Sequence, residues 1–201
     1  IIEYYLLLSL HCKKYEIALE IFIRAIEDKR YKQITGNQYE KWKAIEAYLC
    51  YILWFNCKNK DLRPKNLNQF KVSCYLEEPI AYPKSQRIFA VILMIGQVLF
   101  LLEDNYFKEA SERIGQLKDY TNRMLKPEHH FRIIQFVRLL QQLAKADYNY
   151  SDIGVHKKYL DRLQETPIRY RSDINGFEII PYQNLWHLVI QTTSKRINLL
   201  V

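Results

Sequence analysis

The sequence predicts an all-α protein built as a stack of antiparallel helical hairpins. Apolar residues recur at three- and four-residue steps almost throughout the 201 residues, which is the spacing of helices with a buried face. Glycine and proline are scarce, at 5 and 6, whereas a β-sandwich needs many turns and usually carries more of both. Because the connections between the apolar runs are short, consecutive helices are expected to pack as antiparallel neighbours.

The first part of the chain contains four predicted helices. Gly36 can supply a left-handed C-terminal cap to the second, and the third is rich in aromatic residues. Residues 58–65 form a polar, proline-containing connection, and the fourth helix ends before Pro79. These helices cover about residues 1–12, 14–31, 38–57 and 66–77.

Five more helices are predicted in the remainder of the chain. Pro83 and Pro127 suit the first turns of the fifth and the seventh, and Ser151 is a candidate N-cap for the eighth. Asn175-Gly176 predicts a turn within 166–181, where the helical pattern is broken. The helices cover about 83–103, 105–125, 127–146 and 151–165, and the last begins near residue 182.

These helices predict one domain over residues 1–201, made of four hairpins and an irregular C-terminal cap. The hairpins cover about 1–34, 37–78, 83–125 and 127–165, and the cap covers 166–201. Since Ile1 already lies inside an apolar helical pattern, we expect the chain to be a C-terminal fragment of a longer protein. The longest apolar stretch, Ile88 to Leu102, is short for a bilayer span of about 20 residues, so we expect a buried helix at the centre of the core and no membrane association.

Two stretches match the second half of a tetratricopeptide repeat (TPR), which alternates large and small residues at fixed spacing. Small residues let one helix approach its partner closely, and large ones fill the groove between hairpins. The interval between the two matches is not a whole multiple of the repeat period of about 34 residues, so the middle hairpins are expected to be irregular. The matching positions are Tyr15, Ala18, Phe22 and Ala25 in the first stretch, and Phe107, Ala110, Ile114 and Leu117 in the second.

The chain as a whole resembles a family of uncharacterised TPR-like proteins found in bacterial genomes. The resemblance is strongest over 70–186, where it includes the end of the long apolar helix, the turn at Glu165-Thr166-Pro167 and the closing segment 178–186. The resemblance implies a TPR-like α-solenoid and implies no particular activity.

Charge and cysteine content leave the class of partner open. The net charge is +8, from 30 Lys and Arg against 22 Asp and Glu, but the charges are spread along the chain without long runs. Short basic pieces near aromatic residues make a nucleic-acid-associated regulatory protein the alternative function. The four cysteines form no C-x-x-C pair, so we expect reduced core thiols in a cytoplasmic protein.

No pattern in the sequence predicts catalysis, a metal or a cofactor. Gly-rich phosphate loops, G-x-S-x-G elbows and H-E-x-x-H motifs are absent from the 201 residues. His129 and His130 are adjacent, so on a helix they point about 100° apart and cannot ligate one metal together. The carboxylate pair Glu77-Glu78 is interpreted as solvated loop charge. The sequence therefore predicts a non-catalytic protein.

Two sets of polar residues are the predicted contact surface. In helical stacks the first helix of each hairpin usually lines the concave face, and arginine forks match carboxylates well. The function predicted from them is a scaffold that binds a protein or peptide; a homodimer is left open. The sets are Arg132, Gln135, Arg138 and Gln142 on the seventh helix, and Tyr39, Lys43 and Glu46 on the third.

Overall fold

The all-α prediction is confirmed for the residues that the structure describes. The computed structural model describes residues 1–56, 70–83, 86–149, 154–168 and 177–197, and no strand occurs in these ranges. The helices there are α1 (Ile2–His11), α2 (Tyr15–Glu27), α3 (Gly36–Asn56), α4 (Val72–Leu76), α5 (Arg87–Glu103), α6 (Phe107–Met124), α7 (Pro127–Lys145), α8 (Gly154–Glu165) and α9 (Tyr182–Ile197), with a short 3-10 helix at Tyr31–Gln33.

Helix boundaries depart from the prediction at several places. Helix α5 begins at Arg87, so Pro83 does not lie in its first turn as predicted. The second helix ends at Glu27, because Asp28 is extended and its carboxylate accepts a hydrogen bond from the backbone N–H of Arg30, which turns the chain. Gly36 does have a positive φ of 58°, but it begins α3 instead of capping α2. The fourth helix is only five residues long. The predicted connection at 58–65, the Ser151 cap and the Asn175-Gly176 turn lie outside the described residues.

Helix α5 lies at the centre of the core, as predicted. Every residue from Ile88 to Phe100 is buried, and the helix packs against α3, α4, α6 and α9. A helix that is apolar on all sides is stable only when it is covered on all sides, and these four neighbours provide that cover. In the described part of the chain no helix is both long and apolar enough to cross a bilayer.

Three pairs of consecutive helices pack against each other, and α3 and α4 differ from them. Helices α1 and α2, α5 and α6, and α7 and α8 pack against each other. In place of α4, the main partners of α3 are α2 and α5. Five residues are too few to cover a helix as long as α3, so α5 takes that position. A TPR-like solenoid therefore stays a prediction.

The alternating large and small residues of the two repeat-like stretches form buried faces. Ala18 and Phe22 of α2 and Ala110 of α6 are fully buried, and Ala25, Ile114 and Leu117 are at most 5% exposed. Because alanine leaves little side chain between backbones, α2 can lie close to α1, and α6 close to α5.

Candidate functional site

An open groove lies between the first half of α3 and the segment 70–83, which contains α4. It encloses about 940 Å³, at the upper end of the 300–1,000 Å³ typical of ligand sites. We call it the α3–α4 groove. Its lining residues are Tyr39, Glu40, Lys43 and Glu46 from α3, and Phe70, Lys71, Cys74, Tyr75, Glu77, Glu78, Pro79, Ala81, Tyr82 and Gln86 from the facing side.

The α3 wall of the groove contains one of the two predicted residue sets. Tyr39, Lys43 and Glu46 are four and three residues apart, which places them on one face of the helix. The opposite face of α3 is buried in the core through side chains such as Ile45 and Ile52. The structure thus brings all three predicted residues to one groove.

The facing wall is held in place by α5. Tyr75 lies directly against Gly96, where an added Cβ would come within 2.2 Å of the tyrosine oxygen. The Tyr75 hydroxyl donates a hydrogen bond to the carbonyl of Leu93 at 3.4 Å. Gln97 Nε2 donates to the carbonyl oxygens of Tyr75 (2.8 Å) and Leu76 (3.3 Å), which a five-residue helix cannot satisfy internally. A short and otherwise marginal helix is thereby fixed to the core.

Polar contacts join the two walls. Lys43 Nζ lies 2.5 Å from Glu78 Oε1, and the Tyr82 hydroxyl donates to Glu40 Oε2 at 2.9 Å. The sequence predicts a helix over about 66–77, but not that this segment faces α3 across a groove, because that placement depends on its tertiary contacts with α5. The one available signal was Glu77-Glu78: it was interpreted as solvated loop charge, but both residues line the groove and Glu78 is paired.

The carboxyl group of Glu46 lies in an unusual electrostatic environment within the groove. Burial raises the pKa of its carboxyl group, and the nearby ammonium of Lys43 offsets this only in part. Within the described residues no hydrogen-bond or ion-pair partner of its carboxylate is found. Burial and the Glu40 carboxylate together raise the pKa of Tyr82, so this phenol stays neutral at physiological pH.

The second predicted set, on α7, is mostly buried, which corrects the expectation of an open polar stripe there. Arg132 is 9% exposed and Gln135 is 1% exposed, while Arg138 and Gln142 are half-buried. The guanidinium of Arg138 lies over the ring of Tyr159, 5.9 Å from its centroid. The reason is that α7 packs against α6, α8 and α9, so only a narrow strip of it faces solvent.

All the donors of Arg132 are engaged within the protein. Its guanidinium forms a bidentate pair with Glu178, with Nε bonded to Oε1 and Nη2 to Oε2 at 3.1 Å. Nη2 also donates to Gln183 Oε1 at 2.7 Å, and Nη1 donates to the carbonyl oxygens of Leu163 and Thr166. These five bonds match the five N–H donors of arginine. We call Arg132, Glu178 and Gln183 the Arg132 network; it joins α7, the end of α8 and α9.

The chain's N-terminal hairpin reaches the same place through His11. Its Nε2 lies 2.7 Å from the carbonyl oxygen of Glu178, to which it donates. Burial lowers the pKa of His11, an effect that the bond to this carbonyl partly offsets. From α3, the ammonium of Lys41 lies 4.8 Å from the ring centroid of Phe177. Residues 177–178 are therefore the point where α1, α3 and α7 meet the C-terminal cap.

The cysteines are less buried than predicted. Cys50 is buried, and burial raises the pKa of its thiol, but Cys12 and Cys74 are exposed; Cys57 lies outside the described residues. Among the described residues, no three His, Cys, Asp or Glu side chains lie close enough together to hold a metal ion.

Two of the basic pieces lie at opposite ends of α2. Lys13 and Lys14 precede α2, whereas Lys29, Arg30 and Lys32 follow it, so a 13-residue helix of about 20 Å separates the two groups. Arg30 is also paired with Asp28 at 2.7 Å. The pieces at 58–65 and 169–171 lie outside the described residues.

No family model, no curated protein and no solved structure matches this chain. The resemblance to TPR-like proteins therefore stays an expectation. The function has to be argued from the geometry of the groove itself.

Proposed function

We propose that this chain is a non-catalytic scaffold that binds an extended segment of a partner protein in the α3–α4 groove. The observation that carries the proposal is the groove itself: it is open, large enough for several side chains, and fixed on both sides by the core. One wall is a long helix buried on its other face, and Gly96 and Gln97 anchor the other wall. Preformed walls reduce the ordering cost of binding.

The mixed lining supports a peptide over a small molecule. Tyr39 on one wall is 49% exposed, and Phe70 and Tyr82 lie opposite, so both walls offer rings to a bound chain. Tyrosines contribute large contact area at low entropy cost and are common at protein interfaces. The charged groups beside them suit the polar backbone and side chains of an extended segment.

We further propose that the helix pairs belong to a TPR-like stack and that the protein works in the cytoplasm. The buried faces around Ala18 and Ala110 support the first of these statements. The free thiols of Cys12, Cys50 and Cys74 are in keeping with a reducing compartment.

The test is capture of a partner from nuclease-treated and untreated lysate of the source organism, using the whole chain and two variants. Tyr39→Ala removes a ring from the groove, and Tyr106→Ala removes a ring of similar exposure (53%) before α6 as the matched control. We expect one protein to be retained by the wild type and by Tyr106→Ala, lost with Tyr39→Ala, and unaffected by nuclease.

Two outcomes would oppose this proposal. Equal capture by Tyr39→Ala and Tyr106→Ala would place binding outside the groove. Capture of nucleic acid that disappears with nuclease and weakens steeply with salt would favour the nucleic-acid-associated function instead.

A further inference from the structure

The described lining of the α3–α4 groove carries a charge opposite to that of the chain. The protein carries a net charge of +8, but the described residues of the groove include more carboxylates than ammonium groups. Among them the charged lining residues are Glu40, Glu46, Glu77 and Glu78 against Lys43 and Lys71. A local excess of one sign inside a concave surface selects a partner of the other sign.

Internal contacts use some of these charges. Lys43 is paired with Glu78 at 2.5 Å, and Glu40 accepts a hydrogen bond from Tyr82. The close ion pair of Lys43 is therefore with Glu78, and its ammonium offsets the charge of Glu46 only in part. The carboxylate of Glu46 has no such partner among the described residues, although it is half-buried.

A half-buried carboxylate without a hydrogen-bond or close ion-pair partner is costly, because it has lost water without gaining a direct contact in return. A cation that enters the groove would compensate this loss, and a carboxylate or an apolar side chain would not. Aromatic rings complete the surroundings: Tyr39 lies on the same helix face, and Phe70 and Tyr82 lie on the opposite wall. Rings of this kind cover the alkyl stem of a lysine or arginine and attract its charged end.

We infer that the partner segment bound in the groove is basic, and that Glu46 meets one of its lysine or arginine side chains. This inference rests on the proposed function and specifies the chemistry of the bound segment. An acidic segment would face the carboxylate excess, and a neutral one would leave Glu46 unpaired.

The experiment is selection of short peptides from a random display library on the whole chain, followed by binding measurements with the selected peptides. We expect the selected sequences to be enriched in lysine and arginine. Replacing the key arginine of a selected peptide by citrulline, its neutral isostere, should weaken binding about tenfold, the effect of losing one charge-assisted hydrogen bond.

Two isosteric variants of the protein locate the effect. Glu46→Gln removes the charge in the groove and should also weaken binding of the arginine peptide about tenfold, with no added loss for the citrulline peptide. Glu112→Gln removes an exposed carboxylate on α6 and should leave both affinities unchanged.

The outcomes separate the inference from the proposed function. Selection of acidic or neutral peptides, or an unchanged affinity with Glu46→Gln, would overturn the inference. If Tyr39→Ala nevertheless loses its affinity for those acidic or neutral peptides, the groove remains the binding site and the proposed function stands. If Tyr39→Ala binds every selected peptide as tightly as the wild type does, the inference and the proposed function are both wrong.

Discussion

Two sets of polar residues, predicted from the same helical spacing, have opposite roles in the structure. On α7, Arg132 and Gln135 are buried, and Arg132 uses every donor within the protein. On α3, Tyr39, Lys43 and Glu46 line an open groove, and the carboxylate of Glu46 has no hydrogen-bond or ion-pair partner among the described residues. A partner can reach the second set, whereas the first set already has its partners.

The difference comes from the number of neighbours that each helix has. Helix α7 packs against α6, α8 and α9, and its apolar residues cover more than one side: Ile133, Phe136 and Leu139 are buried together with Ile134, Val137 and Leu140. This second apolar row was a signal in the sequence that little of α7 would face solvent. A polar position on such a helix more often belongs to an internal network than to a binding surface.

The largest expected effect is in the Arg132 network. Arg132→Met removes the guanidinium and leaves the carboxylate of Glu178, which is 7% exposed, without its cation. Removing one partner of a buried pair typically costs about 3–5 kcal/mol. We expect a loss of unfolding free energy of this size, measured by urea unfolding of the whole chain.

A double variant shows whether the unpaired charge is the cause. Arg132→Met combined with Glu178→Met removes both charges, so it should be more stable than Arg132→Met alone. A double variant that is less stable than the single one would mean that Glu178 stabilises the fold through other contacts, such as the hydrogen bond that it accepts from the backbone N–H of Tyr182.

The next effect concerns the wall of the groove at Gly96. Gly96→Ala brings a Cβ within 2.2 Å of the Tyr75 oxygen, so Tyr75 and α4 must move. We expect a loss of about 1–3 kcal/mol, typical of overpacking, together with weaker peptide binding. Calorimetric unfolding and peptide titration measure the two effects.

The matched control for this change is Gly115→Ala. Gly115 lies within α6, and nothing lies within 4 Å of the position of its Cβ. Alanine there should stabilise the protein by about 0.5–1 kcal/mol, since it favours the helix without a clash. Equal effects of the two substitutions would contradict the close contact of Tyr75 with α5.

The smallest effect on stability is expected at Glu46, where the effect on binding is large. Because burial raises the pKa of Glu46 in the folded state, its charged form destabilises the fold at neutral pH, and Glu46→Gln should be at least as stable as the wild type. The difference in unfolding free energy between the two proteins is largest above the raised pKa of Glu46. It disappears as the pH falls through this raised pKa towards the ordinary value of 4.5. Urea unfolding of both proteins across this range provides the measurement.

Protonation of Glu46 should also change the affinity for a basic peptide, but here the charged carboxylate is the favourable form. A basic peptide is attracted by the charged carboxylate, so its affinity should fall as Glu46 becomes protonated, and this pH dependence should be absent in Glu46→Gln. A wild type that is clearly more stable than Glu46→Gln at neutral pH would indicate a structural role for this carboxylate.

The sequence predicted the helices, the central position of α5 and the buried faces around Ala18 and Ala110, because apolar periodicity directly reflects burial. It placed three groove residues on one face of α3. It did not predict the shortness of α4 or the facing wall, which depend on a contact between Tyr75 and Gly96 that is set by tertiary packing. The burial of Arg132 was missed for a similar reason: Glu178 is 46 residues away, and spacing on one helix carries no information about it.

The contacts at residue 178 also have a consequence for synthesis on the ribosome. Glu178 is translated 46 residues after Arg132 and 167 residues after His11, so neither residue can form its contact with Glu178 before then. At about 5–20 residues per second, the interval after Arg132 is roughly 2–9 s. During that time the guanidinium has no carboxylate to accompany it into the core and stays hydrated, and α1 has not yet joined the cap. The nascent chain therefore completes the Arg132 network, and the contact of α1 with the cap, only after Glu178 has been translated.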